Sequence, residues 1–208
     1  MNNSFDSIIF DLDGTLWDAS GTCTKAWNET LAETGYENYV LNEESARSFA
    51  GLTIDKIFQQ FFSSIPKNQY DNLLRIYKGK ESDFMKIYGG KLFPHVRETL
   101  LELALRFKLF IVSNCLEGYI ENFIGFHDLF DIFQDYESSG NTGFPKAENI
   151  GLIIKRNQLA NPVYVGDTPW DGDAAKSAGV PFIFASYGFG ITTDYLHKIS
   201  VFDELLKL

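Results

Sequence analysis

The chain has 208 residues, 45% of them hydrophobic and 22% charged, with 28 Asp and Glu against 18 Lys and Arg for a formal net charge of −10. That length suffices for one good core, or for one core with a small inserted module, and the acidity, unbroken by a basic patch, argues against nucleic-acid or anionic-membrane partners. Cys23 and Cys115 are too few for a disulfide framework and lack zinc-ligand spacing; without a basic leader or a bilayer-length apolar run, the expectation is a soluble cytoplasmic protein.

In chain order, Ser7-Ile8-Ile9-Phe10 is an apolar run that breaks into Asp11-Leu12-Asp13-Gly14-Thr15. Such a run suits a central parallel strand covered on both faces, and sheets of that kind place ligand sites outside the carboxyl ends of their strands. Asp13-Gly14 by itself would also serve as a tight turn. From Asp18 the apolar spacing turns helical for roughly seventy residues, with Trp27, Leu31, Ile57, Phe58, Phe61, Leu73 and Tyr77 among the apolar positions. Gly21 marks the start of this stretch, and Gly89-Gly90 marks its end as a flexible hinge pair. The expected organisation is a core of residues 1–18 and 89–208 with a helical module, 19–88, inserted in it; the alternative is a plain run of helices packed on the sheet.

From Phe93 onward strands and helices alternate. Pro94 is expected to open a helix through Val96, Leu100 and Leu103, followed by a buried strand at 109–112, a helix over 117–124 and a short strand or loop over 131–136. A helix from Pro145 through Ile150 and Ile153, a strand at 163–165, a helix over 170–177, a strand at 181–184 and a closing helix over 201–206 complete the chain. This alternation implies an α/β fold with a doubly wound parallel sheet.

The strands at 109–112 and 163–165 end as the first does, in Ser113-Asn114 and in Gly166-Asp167-Thr168-Pro169-Trp170-Asp171. Carboxyl ends of parallel strands share one edge, so Asp11, Asp13, Ser113, Asp167 and Asp171 are expected to converge. Taken singly, Ser113 reads as a helix N-cap and Asp171 as a solvated first-turn acid. Together the acids need a cation or partial protonation to coexist. Oxygen ligands without nearby His or Cys select a hard ion such as Mg2+, and a lysine in reach, Lys146 of Gly143-Phe144-Pro145-Lys146, would join such an ion in holding a phosphate.

These four segments, in this order, resemble the four motifs of the haloacid dehalogenase superfamily. Residues 166–190, with Ala174-Ala175, Ala178-Gly179 and Tyr187-Gly188-Phe189-Gly190, resemble its phosphoglycolate phosphatase-like branch. The resemblance implies a Rossmann-like core with an inserted all-helical cap, and a Mg2+-dependent phosphatase that hydrolyses a small phosphorylated metabolite through an aspartyl-phosphate. It makes Asp11 the nucleophile and Asp13 the general acid and base. Mg2+ is implied on the Asp11 carboxylate, the Asp13 main-chain carbonyl and Asp167, with Asp171 as an orienting residue or a ligand through water. Ser113, Asn114, Lys146 and Thr15 are implied on the phosphoryl group. Two departures stand out: Pro145 precedes the motif lysine where the family often has Pro after it, and His95, read as structural or as a rim residue, stands where relatives often have Gly. A β-phosphoglucomutase-like phosphosugar mutase is the alternative reading. A 2-haloacid dehalogenase is disfavoured because Asp13 is present, and a catalytically idle binding protein because every candidate catalytic residue is. The oligomeric state is left open.

Overall fold

The computed structural model describes residues 5–208, so the first four residues of the expected core lie outside it. Strands β1 (Ser7–Phe10) and β2 (Trp17–Asp18) lead into helices α1 (Ser20–Glu33), α2 (Glu43–Arg47), α3 (Ile54–Phe61) and α4 (Tyr70–Tyr88). The chain returns through β3 (Lys91–Leu92), followed by α5 (Val96–Ala104), β4 (Lys108–Ser113), α6 (Tyr119–His127), β5 (Asp135–Ser138) and α7 (Ser139–Thr142). Then come α8 (Lys146–Asn157), β6 (Pro162–Gly166), α9 (Pro169–Ser177), β7 (Phe182–Ala185) and β8 (His197–Ile199).

Six strands form a parallel sheet in the order β5-β4-β1-β6-β7-β8. The central place of β1 follows from its composition, because Ile8, Ile9 and Phe10 are fully buried on both faces. Ile8 and Phe10 join Leu109, Ile111 and Val163 against Leu100 and Phe123 on one face; Ile9 joins Phe110, Val112 and Tyr164 against Ile150 and Ile153 on the other. Each fully buried side chain of this size contributes about 1.5–3 kcal/mol of transfer free energy. Phe10 lies level with Ile111 and Val165, so the three strands release their chains at one edge. From β1 the chain moves outward through β4 to β5 and then crosses back to β6 on the other side of β1, which makes this edge the crevice where the strand order reverses.

The α1–α4 segment builds a second, largely aromatic core. Trp27 stacks on Tyr77 at 3.8 Å between centroids and meets Phe49, Phe58 and Phe62. Among the described residues no helix is long and apolar enough to cross a membrane.

Several expected details differ. The antiparallel pair β2–β3 is too short to show a period in sequence, and β8 carries an exposed His and Lys on the sheet edge, the charge pattern that masks edge strands. Gly21, the second residue of α1, does mark the start of the helical stretch, whereas the closing segment is a 3₁₀ helix, Phe202–Lys207. Pro94 stays outside α5, which starts at Val96 after His95 adopts a left-handed conformation, φ 66° and ψ 4°. Glycine enters that region without strain, which accounts for the residue the resemblance places there. Gly89 and Gly90 are closely packed: Gly89 holds φ 58°, ψ −151° with no room for a Cβ beside the Phe126 ring, and a Cβ on Gly90 would come within 2.6 Å of Trp17. Glycine serves close approach at both positions, and at Gly89 also a φ in the left-handed region.

Candidate active site

Asp11 follows β1 directly, its backbone N–H still donating to Val165 O at 2.8 Å. Its carboxylate points to Lys146, the first residue of α8, whose Nζ lies 2.8 Å from Asp11 Oδ1 and 2.6 Å from Asp171 Oδ1. All three side chains are buried. Asp171 is held in place by a capping box at the start of α9: its Oδ2 accepts from Thr168 N at 2.9 Å, Thr168 Oγ1 at 2.7 Å and Asp167 N at 3.2 Å. One oxygen therefore caps the helix while the other meets the lysine. Asp171 thus stands in the first turn of α9, but it is fully buried rather than the solvated first-turn acid it reads as when taken singly.

Asp167 accepts from Thr15 Oγ1 at 3.1 Å and from the Phe189 N–H at 2.7 Å. Gly14, at φ 84°, packs so tightly on this carboxylate that any Cβ would collide with it. Oxygens of Asp11, Asp167 and Asp171 all lie within 4.8 Å of one another. Burial, and then the charge of Asp171, pushes Asp11 up to about 6 against the pull of Lys146. Burial followed by the charges of Asp171 and Asp11 raises Asp167 well above the usual carboxylate range. Burial works to depress Lys146, but the charges of Asp11 and Asp171 outweigh it and hold the ammonium charged. Three acids thus face one cation, and buried Asp11 Oδ1 has the ion pair but no hydrogen bond. An all-oxygen donor set with surplus negative charge fits a hard divalent ion.

Asp13 stands apart from this trio. The Tyr119 hydroxyl donates to its Oδ1 at 2.8 Å, and burial pushes its acidity constant to about 7, an effect the Tyr119 bond only partly offsets. Asp11 and Asp13 open on a cavity of about 100 Å³ between the sheet edge and the helical segment. Ser113 and Asn114 also line it. Asn114 ties the two sides together, donating from Nδ2 to Gly51 O at 2.8 Å and accepting from Ser139 Oγ at 2.7 Å.

Of the residues expected from sequence, Asp11, Asp13, Ser113 and Asn114 reach the cavity, whereas Lys146, Asp167 and Asp171 form the buried layer next to Asp11. Thr15 gives its hydroxyl to Asp167. Trp17 is core, set edge-on to Tyr119 and Phe123; Trp170 is half exposed beneath the Lys56 ammonium, 4.7 Å from its ring centroid. Sequence reasoning did not single out Tyr119, the Phe189 N–H or Glu81, a buried α4 acid on the cavity wall. Gly188-Phe189-Gly190 was the available signal for the second; Tyr119 and Glu81 sit inside ordinary helical patterns that mark nothing.

Sheet and site together make this a parallel α/β protein whose central strand leads into two aspartates beside a buried lysine and two further aspartates. The chain matches the haloacid dehalogenase-like hydrolase model over residues 8–185. It belongs to that family and is a haloacid dehalogenase-like hydrolase. It is similar to the phosphoglycolate phosphatase of Vibrio cholerae, 29% identical over 207 residues that cover 93% of this chain and 87% of the relative. The phosphoglycolate phosphatase of Aquifex aeolicus is 28% identical over 188 residues, 88% of this chain and 85% of its own. In structure it resembles a haloacid dehalogenase-like family hydrolase from Streptococcus pneumoniae, with a TM-score of 0.84, 24% identity and 98% of each chain covered.

Proposed function

We propose that the protein is a Mg2+-dependent phosphatase of a small phosphomonoester, with residues 19–88 acting as a cap over a core of 1–18 and 89–208. The observation that carries this reading is the pairing of two differently held aspartates on one cavity: Asp11 beside a buried ammonium and Asp13 beside a neutral hydroxyl. The phosphatase relatives support it.

Asp11, shifted only to about 6, is mainly ionised at neutral pH and attacks phosphorus. The bond from phosphorus to the ester oxygen breaks as Asp13 hands its proton to the departing alkoxide, leaving an aspartyl-phosphate. Asp13, now a carboxylate, takes a proton from water; that water attacks the same phosphorus and restores Asp11. Ser113 and Asn114 meet the phosphoryl oxygens from the cavity floor, and Lys146 holds Asp11 aimed and offsets the charge that develops. Asp11, the Asp13 carbonyl and Asp167 would hold Mg2+, while Asp171, with one oxygen capping α9 and the other on Lys146, orients the lysine. When bound, the ion supplies positive charge to the phosphoryl oxygens. Asp13 in protonated form is not needed by a halide leaving group, so the site favours phosphate esters over haloacids.

Release of phosphate from p-nitrophenyl phosphate tests the reading. Activity is expected to vanish in excess chelator and to return with Mg2+ but not Ca2+, which takes more ligands at longer distances. Undiminished turnover in chelator would remove the metal from the account. The pH dependence has a definite sign. Asp13 holds its proton below about 7 and loses it above, so kcat/KM for alkyl phosphates, whose leaving groups need that proton, falls as pH rises through neutrality. For p-nitrophenyl phosphate, whose leaving group needs no acid, the fall should be shallower; parallel profiles would contradict the acid role of Asp13.

A further inference from the structure

The cavity wall opposite Asp11 and Asp13 is made mostly by the helical segment. It is largely apolar, with Trp27, Phe49, Leu52 and Ile57 among its residues, and Leu116 on the core side. Its charged member on the helical side is Glu81 of α4, which is buried and accepts from the Tyr77 hydroxyl at 2.6 Å. Among the described residues no Lys, Arg or His lines the cavity. Cations of the helical segment are engaged by other groups: Arg47 bonds Asp18 and Glu43 and lies over the ring of Phe189 at the cavity's edge, Lys56 lies over Trp170, and Lys25 over Phe84 and Tyr88. Lys146 is engaged by Asp11 and Asp171.

We propose that this cavity selects phosphomonoesters whose leaving group carries no anionic group of its own, and that Glu81 is the residue that sets this selection. The proposal rests on the phosphatase reading above and narrows its substrate class. A carboxylate or second phosphate on the leaving group would enter an apolar chamber without a counter-charge, a burial that costs heavily unless the charge is paired. It would also meet an acid. Burial pushes Glu81 up to about 8, so at neutral pH it is mainly protonated and suited to a hydroxyl; shared with an arriving carboxylate, its proton would still leave one negative charge unpaired. An apolar alcohol with at most a neutral hydrogen-bonding group satisfies both the walls and Glu81. Phosphoglycolate, the substrate in the relatives' names, carries the carboxylate that this chamber lacks the means to hold.

The test compares kcat/KM for 2-phosphoglycolate with that for isobutyl phosphate, which has the same heavy-atom arrangement with methyl groups in place of the carboxylate oxygens. Glycolate is the better leaving group, so intrinsic reactivity works against the proposal. The expected preference for isobutyl phosphate is at least about tenfold at neutral pH and grows at about pH 9, where Glu81 is ionised; Glu81→Gln keeps the shape and can still bond Tyr77 but gains no charge there, so at that pH its ratio shifts toward phosphoglycolate relative to wild type. A preference below tenfold at neutral pH, or the same ratio in Glu81→Gln as in wild type at about pH 9, overturns the proposal while p-nitrophenyl phosphate turnover leaves the phosphatase reading standing. No phosphate from any of the three esters in Mg2+ overturns that reading, and the proposal with it.

Discussion

Asp11→Asn is expected to abolish turnover, lowering kcat by roughly ten-thousandfold or more, the scale on which loss of a covalent nucleophile is felt. The amide keeps the shape of the side chain, but it cannot form the acyl phosphate. The fold should survive, because the Asp11 N–H still donates to Val165 O and Lys146 keeps its partner in Asp171. Steady-state kinetics together with thermal unfolding separate the two effects. Near wild-type rates in the folded variant would require another nucleophile.

Lys146→Met is expected to damage both stability and rate. The side chain is close to lysine in length, yet it leaves Asp11 and Asp171, with Asp167 nearby, without the ammonium that contacts the first two. Breaking a buried ion pair from one side costs about 3–5 kcal/mol, and loss of a charge that supports the transition state costs about a hundredfold or more in kcat. Urea unfolding of the metal-free protein reads the first and phosphate release the second. Mg2+ should restore part of the lost stability, since it supplies positive charge to the same acids. A variant as stable as wild type in chelator would show that the acids tolerate one another without the lysine.

The core of the fold was legible because each central strand is an apolar run buried on both faces, and because each run ends in residues whose chemistry is out of place in a core. That pattern alone brought Asp11, Ser113 and Asp167 to one edge. Elements without such a pattern were not legible: β2 and β3 are two residues long, and β8 is a polar edge strand. Asp171 shows a different limit. The capping-box spacing from Thr168 was present in sequence, but only the packing of α8 against α9 reveals that the second carboxylate oxygen meets Lys146. Tyr119 reaches Asp13 across 106 residues of chain. Glu81 reads in sequence as one more surface acid of a charged helix, and becomes a cavity residue only because α4 turns it inward beside Tyr77.

If Asp11 carries the phosphoryl group between substrate and water, as proposed, the covalent intermediate can be trapped. The direct measurement is rapid acid quench of the Mg2+-loaded protein during turnover of p-nitrophenyl phosphate, followed by mass spectrometry of the peptide that contains Asp11. Phosphorylation of Asp11 in the wild type, and its absence in Asp11→Asn, is the result expected. A phosphoryl group found on another residue, or steady phosphate release with no phosphorylated peptide at any quench time, would contradict it.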